Sequence, residues 1–202
     1  MIHTLQVGPT GDEMSAHTDT HARILDGALA ALARRGVRKL SMSDVGAEAG
    51  ISRGTLYRYF ANKEQLLDAI SLHVEHGLKR QLRAAVEQTP ELSQRVHVVV
   101  EAIVHYGENH PEALQVIALE PGFGVEFVRQ VFPKFVAVAE ELLSPALEAS
   151  PPVRSGELTT GELSELILRA AASTFFIPTD NLTEISRMIA ALPGGNCAEL
   201  AS

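Results

Sequence analysis

Thirty residues, 36–65, hold two glycine stops and three helix starts, and this punctuation limits the fold more than any other feature of the chain. Gly36 and Gly50 are the stops. Ser41-x-x-Asp44, Ser52 and Asn62-x-x-Gln65 are the starts, each offering a side-chain acceptor to the free N–H groups of a first helical turn. Three short helices and the start of a fourth, long one fit between about Thr18 and Arg83. Upstream, Ile24, Leu25, Ala28, Leu29 and Leu32 repeat at helical spacing until Gly36. Downstream, Leu66, Leu67, Ile70, Val74 and Leu78 continue a long helix.

The helical period persists to the end of the chain. LSQRVHVVVEAIVHYGENH contains a valine run that suits a buried strand, but its length and lack of turn residues favour a helix. His110-Pro111 begins another. The pattern from Val125 to Glu148 contains Pro133, which is expected to break or kink it. SPPVRSGELTTG reads as a loop. Thr159-x-x-Glu162 then caps a helix running to about Phe176, and Asn181-Leu-Thr-Glu184 caps a last one ending at Pro193-Gly194. Nothing suggests a sheet, so the fold class is all-α.

Composition excludes several classes. With 202 residues, 46% of them apolar, core material is ample for one large domain or two smaller ones. The one cysteine, Cys197, supports neither a disulfide framework nor a Cys-rich zinc site, which favours a reducing cytoplasm. The opening MIHTLQVGPTGDEMSAHTDT lacks a cationic start followed by an apolar run, and no run of about 18 apolar residues occurs anywhere. No signal peptide or membrane contact is expected. Residues 1–17 read as a mobile arm, with Met14 an alternative translation start.

Net charge is −8, which taken alone argues against nucleic acid. The charge is segregated, however. His17 to Arg83 carries eleven Lys/Arg against seven Asp/Glu, a balance of +4, whereas residues 84–202 carry six against sixteen, a balance of −10. A basic end on an acidic body still attracts a polyanion locally, because screening confines repulsion to a Debye length of about 8 Å. Charge alone does not decide the function.

The motif VGAEAGISRGTLYRYF does more. A helix-turn-helix needs a short supporting helix, a turn that tolerates a left-handed residue, and a second helix whose outer face enters a groove about 12 Å wide. AEAGIS supplies small residues and the turn glycine. Val45, Ile51, Leu56 and Phe60 supply the inner side, leaving Arg53, Thr55, Tyr57, Arg58 and Tyr59 outward on the helix opened by Ser52. Arg53 suits bidentate bonding to guanine, and the Thr55 methyl suits a thymine. Gly54 permits close backbone approach. Tyr57 and Tyr59 suit phosphates, as do Lys63 in the next helix and Ser41 and Ser43 on the supporting one. On the residues alone, an ordinary helical hairpin with a polar face fits the same pattern.

The run from about Thr20 to Ile70 resembles the DNA-binding region of the TetR family of bacterial transcriptional regulators. The resemblance lies in Gly50-Ile51-Ser52, in Leu56-Tyr57-Arg58-Tyr59-Phe60, and in Lys63 followed by Leu66-Leu67. One departure is Gly46, where alanine is more usual; a helical glycine costs about 1 kcal/mol. The resemblance implies DNA contacts from Ser41, Ser43, Arg53, Gly54, Thr55, Tyr57, Arg58, Tyr59 and Lys63, and Ser52 at the head of the reading helix is a further DNA-binding candidate. It also implies a three-helix DNA-binding domain over residues 18–70 and a larger helical domain over residues 71–202, which binds an effector and dimerises through its last two long helices. Leu168, Ala172, Phe175, Phe176, Ile185 and Ile189 are the apolar candidates for that homodimer interface. The expected protein is a regulator, a repressor by the family's habit, that binds a palindromic double-stranded operator and is released by a small apolar molecule.

Weaker signals complete the reading. His97, His105, Tyr106, Phe123, Phe127 and Phe132 combine polar and aromatic groups in apolar surroundings, and His105, Tyr106, Phe123 and Phe127 are the candidate pocket residues. His73-x-x-His76 lacks a third metal ligand. Gly122-Phe-Gly124 follows no strand and so is not a nucleotide loop. With no nucleophile elbow or Ser/His/Asp order, neither enzyme activity nor a cofactor is expected. The competing readings are the same fold without a small-molecule effector, and a helical enzyme or interaction scaffold that only mimics the motif.

Overall fold

The computed structural model describes residues 11–177 and 179–194, with side-chain environments from Asp19 onward. Cys197 and the first ten residues of the expected arm lie outside them. Eleven α-helices follow in order: α1 (Gly11–Lys39), α2 (Met42–Glu48), α3 (Arg53–Tyr59), α4 (Lys63–Gln88), α5 (Arg95–Val104), α6 (Tyr106–Asn109), α7 (Pro111–Leu119), α8 (Pro121–Leu147), α9 (Pro151–Arg154), α10 (Thr160–Ser173) and α11 (Leu182–Ala191). Among the described residues there is no strand, and no helix is long and apolar enough to cross a membrane. Two compact units divide the chain between His73 and Val74, inside α4.

In the N-terminal unit the glycine stops act as the sequence suggests. Gly36 leaves helical geometry at φ 73°, and Leu40 N–H donates back to its carbonyl at 3.1 Å. Gly50 takes φ 64°, and Ile51 N–H donates to the Gly46 carbonyl at 2.9 Å, which closes the turn between α2 and α3. A Cβ on Gly46 would stand 3.3 Å from the Ile51 carbonyl oxygen, so the departure at this position leaves room for the turn. Residues 11–17, expected in the arm, are the start of α1. Ile24, Leu32, Val45, Leu56 and Leu66 are fully buried and join all four helices of the unit. Leu56 alone removes enough surface from water to contribute about 1.5–3 kcal/mol, and it fixes which side of α3 faces in.

The C-terminal unit contains the larger core, centred on Leu143, Leu147 and Ile167. Here the structure corrects the sequence at several points. α8 runs on through Pro133. The proline sits on the exposed side, and so does Arg129 one turn before it, so the carbonyl that loses its helical N–H partner lies on the side open to water. The expected loop before Thr159 contains the single helical turn α9. Leu168 and Ile189, expected at a dimer interface, are 5% and 7% exposed in the unit's own core. Ile185 is half-buried against that core. Phe176 is 39% exposed, and Leu166, Met188 and Leu192 join it as exposed apolar residues of α10, α11 and the turns that follow them.

Both downstream caps form. Thr159 accepts from Glu162 N–H at 3.1 Å while the Glu162 carboxylate accepts from Thr159 N–H at 2.8 Å. Asn181 Oδ1 accepts from Glu184 N–H at 3.0 Å. Each such cap contributes about 1 kcal/mol to its helix.

Candidate nucleic-acid interface and effector cavity

α3 presents two faces. Leu56 and the cap residue Phe60 are buried; Arg53, Gly54, Tyr57 and Arg58 are exposed, and Thr55 is half-buried. The Arg53 guanidinium lies 5.4 Å from the centroid of the Tyr57 ring, one turn further on. That contact orders both side chains on the outer face and leaves the guanidinium N–H groups free for an acceptor. A Cβ on Gly54 would meet only the Ser52 hydroxyl, at 3.8 Å. The chain's own packing therefore does not require glycine there.

Ser52 caps α3. Its Oγ accepts from Thr55 N–H at 3.1 Å and lies 2.9 Å from Thr55 Oγ1. One of the two hydroxyls must donate to the other, so the pair retains one hydroxyl proton for an outside acceptor. Ser43 is exposed on the first turn of α2.

Three residues expected to touch DNA also have partners within the chain: Ser41 and Lys63 through hydrogen bonds, Tyr59 through its ring. Ser41 donates its hydroxyl proton to Asp44 Oδ2 at 2.6 Å and its backbone N–H to the same oxygen at 3.1 Å. A phosphate can only accept, so Ser41 has no proton left to give one. Tyr59 packs its ring 6.0 Å from His21 and 6.5 Å from Phe60, centroid to centroid. The Lys63 ammonium donates to the Val37 carbonyl, where α1 has broken at Gly36. Helical spacing assigns each of these side chains to its element, but it cannot show which donors the fold itself uses.

The charges sort in the same way. Arg34 pairs with Glu48, Arg35 pairs with Asp44 at 3.1 Å, and Arg23 reaches the Ala49 carbonyl at 3.4 Å. Arg38 and Lys39 are exposed without an ion pair among the described residues, directly before the N-terminus of α2. Sequence reasoning missed both. Their signal is a basic pair two residues ahead of a helix start that already carries Ser43.

Asp44 ties α2 to this arrangement. The Ser41 hydroxyl bond holds its carboxyl below the usual aspartate range against a smaller opposing effect of burial, with the Ser41 backbone N–H and Arg35 adding to the shift. A carboxylate depressed in the folded state stabilises fully above the unfolded value, near 4, and loses that contribution as pH falls through the folded one. Asp44→Asn should therefore be less stable than wild type at pH 7, with the gap narrowing in acid. Urea melts at stepped pH check this; a gap that stays constant into acid contradicts it.

In the C-terminal unit, a cavity of about 80 Å³ lies among α4, α5, α7, α8 and α10, with Tyr106 and Phe175 in its wall. Of the expected pocket residues, Tyr106 and Phe127 line it, as does Phe132. Burial pushes the Tyr106 hydroxyl up to about 12, so it stays protonated. His105 and Phe123 do not line this cavity. His105 faces a shallow groove with Gln81 and Glu101, its Nδ1 3.1 Å from the Glu101 carbonyl oxygen. Ala172 and Phe175, expected at a dimer interface, line the cavity.

Comparison with known proteins gives a family match in the N-terminal unit and a shared fold over most of the chain. The family profile for bacterial regulatory proteins of the tetR family matches residues 24–70. The HTH-type transcriptional regulator TtgR of Pseudomonas putida is 38% identical over 60 residues, 29% of each chain. The nucleoid occlusion factor SlmA of Haemophilus influenzae is 25% identical over 83 residues, 41% of this chain and 38% of its own length. That match thus spans about two fifths of the relative. In fold, the fatty acid degradation regulator FadR of Bacillus halodurans superposes with a TM-score of 0.68 at 18% identity, covering 95% of this chain and 98% of its own. FadR of Bacillus subtilis, solved with stearoyl-CoA, superposes with a TM-score of 0.63 at 17% identity over 86% and 97% of the two chains.

Proposed function

We propose, from the premise that this chain belongs to the TetR family of bacterial regulatory proteins, that it is a cytoplasmic transcriptional repressor which binds a palindromic operator as a homodimer and leaves it when a small apolar effector enters the cavity. The outer face of α3 carries this reading: Arg53, Gly54, Tyr57 and Arg58 are exposed there while Leu56 and Phe60 anchor the helix from behind. Arg53 reads a guanine edge, and the Thr55 methyl meets a neighbouring base. Tyr57, Arg58, Ser43, Arg38 and Lys39 grip phosphates, which position the helix without specifying sequence.

One such helix touches too few bases for strong discrimination. Two of them about 34 Å apart meet successive major grooves on one side of the duplex. The exposed apolar residues Leu166, Phe176, Met188 and Leu192 are the surface on which two copies pair. The effector then acts by population shift, favouring a spacing of the two reading helices that no longer fits the grooves. A wholly apolar cavity supports an apolar effector, and so does a relative of the same fold captured with stearoyl-CoA.

Gly54 provides the test. Alanine fits there within the free chain and is the better helix former by about 1 kcal/mol. Gly54→Ala should therefore keep or raise the thermal midpoint while weakening operator binding about tenfold, or 1.4 kcal/mol, through the methyl group pressed against DNA. Calorimetric melting and a mobility-shift titration read the two quantities. Unchanged operator affinity would mean that α3 does not approach the duplex as proposed.

A further inference from the structure

The cavity holds apolar surface but offers nothing to orient a ligand. Two grooves share walls with it. One shares Val128, Phe132 and Ala172 with the cavity and adds Arg129 and Arg169 beyond them. The other shares Leu114, Ile117 and Phe175 and adds Glu108. We propose that the cavity and the arginine-bearing groove form one site for a linear, medium-chain carboxylate, with the tail in the cavity and the head on Arg129 and Arg169. This rests on the reading of the cavity as the effector site and adds the chemical class and direction of the ligand.

Charge sets the direction. Residues 84–202 carry six Lys/Arg against sixteen Asp/Glu, so two arginines lining one groove run against the trend of the unit. No carboxylate lines that groove, whereas Glu108 lines the other and repels an anionic head. Arg169 is held in place: its guanidinium lies 4.7 Å from the Phe132 ring centroid and pairs with Glu165, to whose Oε1 its Nε donates at 2.9 Å and its Nη2 at 2.5 Å, so Arg129 brings the uncompensated charge and Arg169 an oriented donor. Its Nη1 makes no hydrogen bond among the described residues and remains available. Arg129 is exposed and has no ion pair among the described residues, so it brings an uncompensated charge and a planar fork matched to a carboxylate.

Volume sets the length. A cavity of about 80 Å³ corresponds to roughly half a dozen water-sized positions, which suits a chain of several methylenes with its head outside. A much longer tail needs the cavity to widen.

Titration calorimetry of the full chain with octanoate, octan-1-ol and octyltrimethylammonium, at equal ionic strength, tests this. Octanoate should bind at least about tenfold more tightly than octan-1-ol, the difference a charge-assisted bond makes, and the cationic probe should bind more weakly than both. Arg129→Gln should remove most of the octanoate advantage while leaving octan-1-ol affinity unchanged, and Arg129→Lys should restore part of it. Octanoate and octan-1-ol binding equally would overturn the head-group assignment and leave the effector site standing. Equal losses of both ligands in Arg129→Gln would also overturn it. No binding by any of the three would sink the effector reading and this proposal together.

Discussion

Replacing Lys79 and Lys134 together with alanine is expected to destabilise the chain by about 3–5 kcal/mol at neutral pH, the range for a buried ion left without its partners. Glu75 on α4 is only 3% exposed, and each of its carboxylate oxygens is taken by one lysine: Oε1 by Lys79 at 2.7 Å, Oε2 by Lys134 of α8 at 2.8 Å. Burial pushes the Glu75 carboxyl up, but the hydrogen bonds from Lys134 and Lys79 and their charges outweigh it, and the group titrates below the usual glutamate range. The Lys79 ammonium also lies 5.8 Å from the Phe135 ring centroid, and alanine removes that cation–π attraction as well.

Glu75 gives this prediction a second reading in pH. In the wild type the depressed carboxyl stabilises above the unfolded value, near 4.3, and that contribution disappears as pH falls through the folded one. Without the lysines only burial remains, the folded value rises above the unfolded one, and the sign reverses. The double variant should recover stability relative to wild type as pH falls from 7 towards 4. Denaturation at stepped pH measures both curves; a pH-independent difference would mean that Glu75 finds other partners or water.

Gly27→Ala is expected to cost about 3 kcal/mol, the upper end for overpacking, even though alanine favours a helix over glycine by about 1 kcal/mol. A Cβ at this position of α1 would lie 2.8 Å from the backbone nitrogen of Ala49 and 2.9 Å from its Cα. Those atoms cannot rotate away as a side-chain tip does, so α1 and the end of α2 must separate. The turn that aims α3 begins at Gly50, the next residue, so operator binding should fall with stability. Gly46→Ala, by contrast, meets one carbonyl at 3.3 Å and should cost much less. Thermal melting of the two variants side by side checks the ranking.

Sequence periodicity made the helices legible because caps and stops are local. The boxes at Ser41 and Thr159 and the cap at Asn181 need only three or four consecutive residues, and each forms as spaced. The outer face of α3 was equally legible, since Leu56 and Phe60 define the inner side by helical spacing alone. What sequence could not show was competition for a group already in the right place. Lys63 gives one of its three ammonium protons to the Val37 carbonyl where α1 ends, and Ser41 goes to Asp44 because a cap saturates its hydroxyl. Similarly, Leu168 and Ile189 carry the apolar pattern of an interface but fill the unit's own core. Apolar spacing marks a face as buried without saying what buries it. His105 failed for a related reason: a helix break at that residue turns it to a groove away from the cavity lined by its neighbour Tyr106.

The central claim is that the exposed face of α3 reads base edges, with Arg53 as its principal sequence-reading group. Selection of bound fragments from genomic DNA by the wild type and by Arg53→Ala tests it most directly. The account predicts a palindromic site from the wild type, with half-sites about 10 base pairs apart centre to centre. From the variant it predicts a site that has lost preference at one position in each half, affinity lower by about 1–3 kcal/mol, and an unchanged thermal midpoint. Identical sequence preferences from both proteins, or no enriched sequence from the wild type, would contradict it.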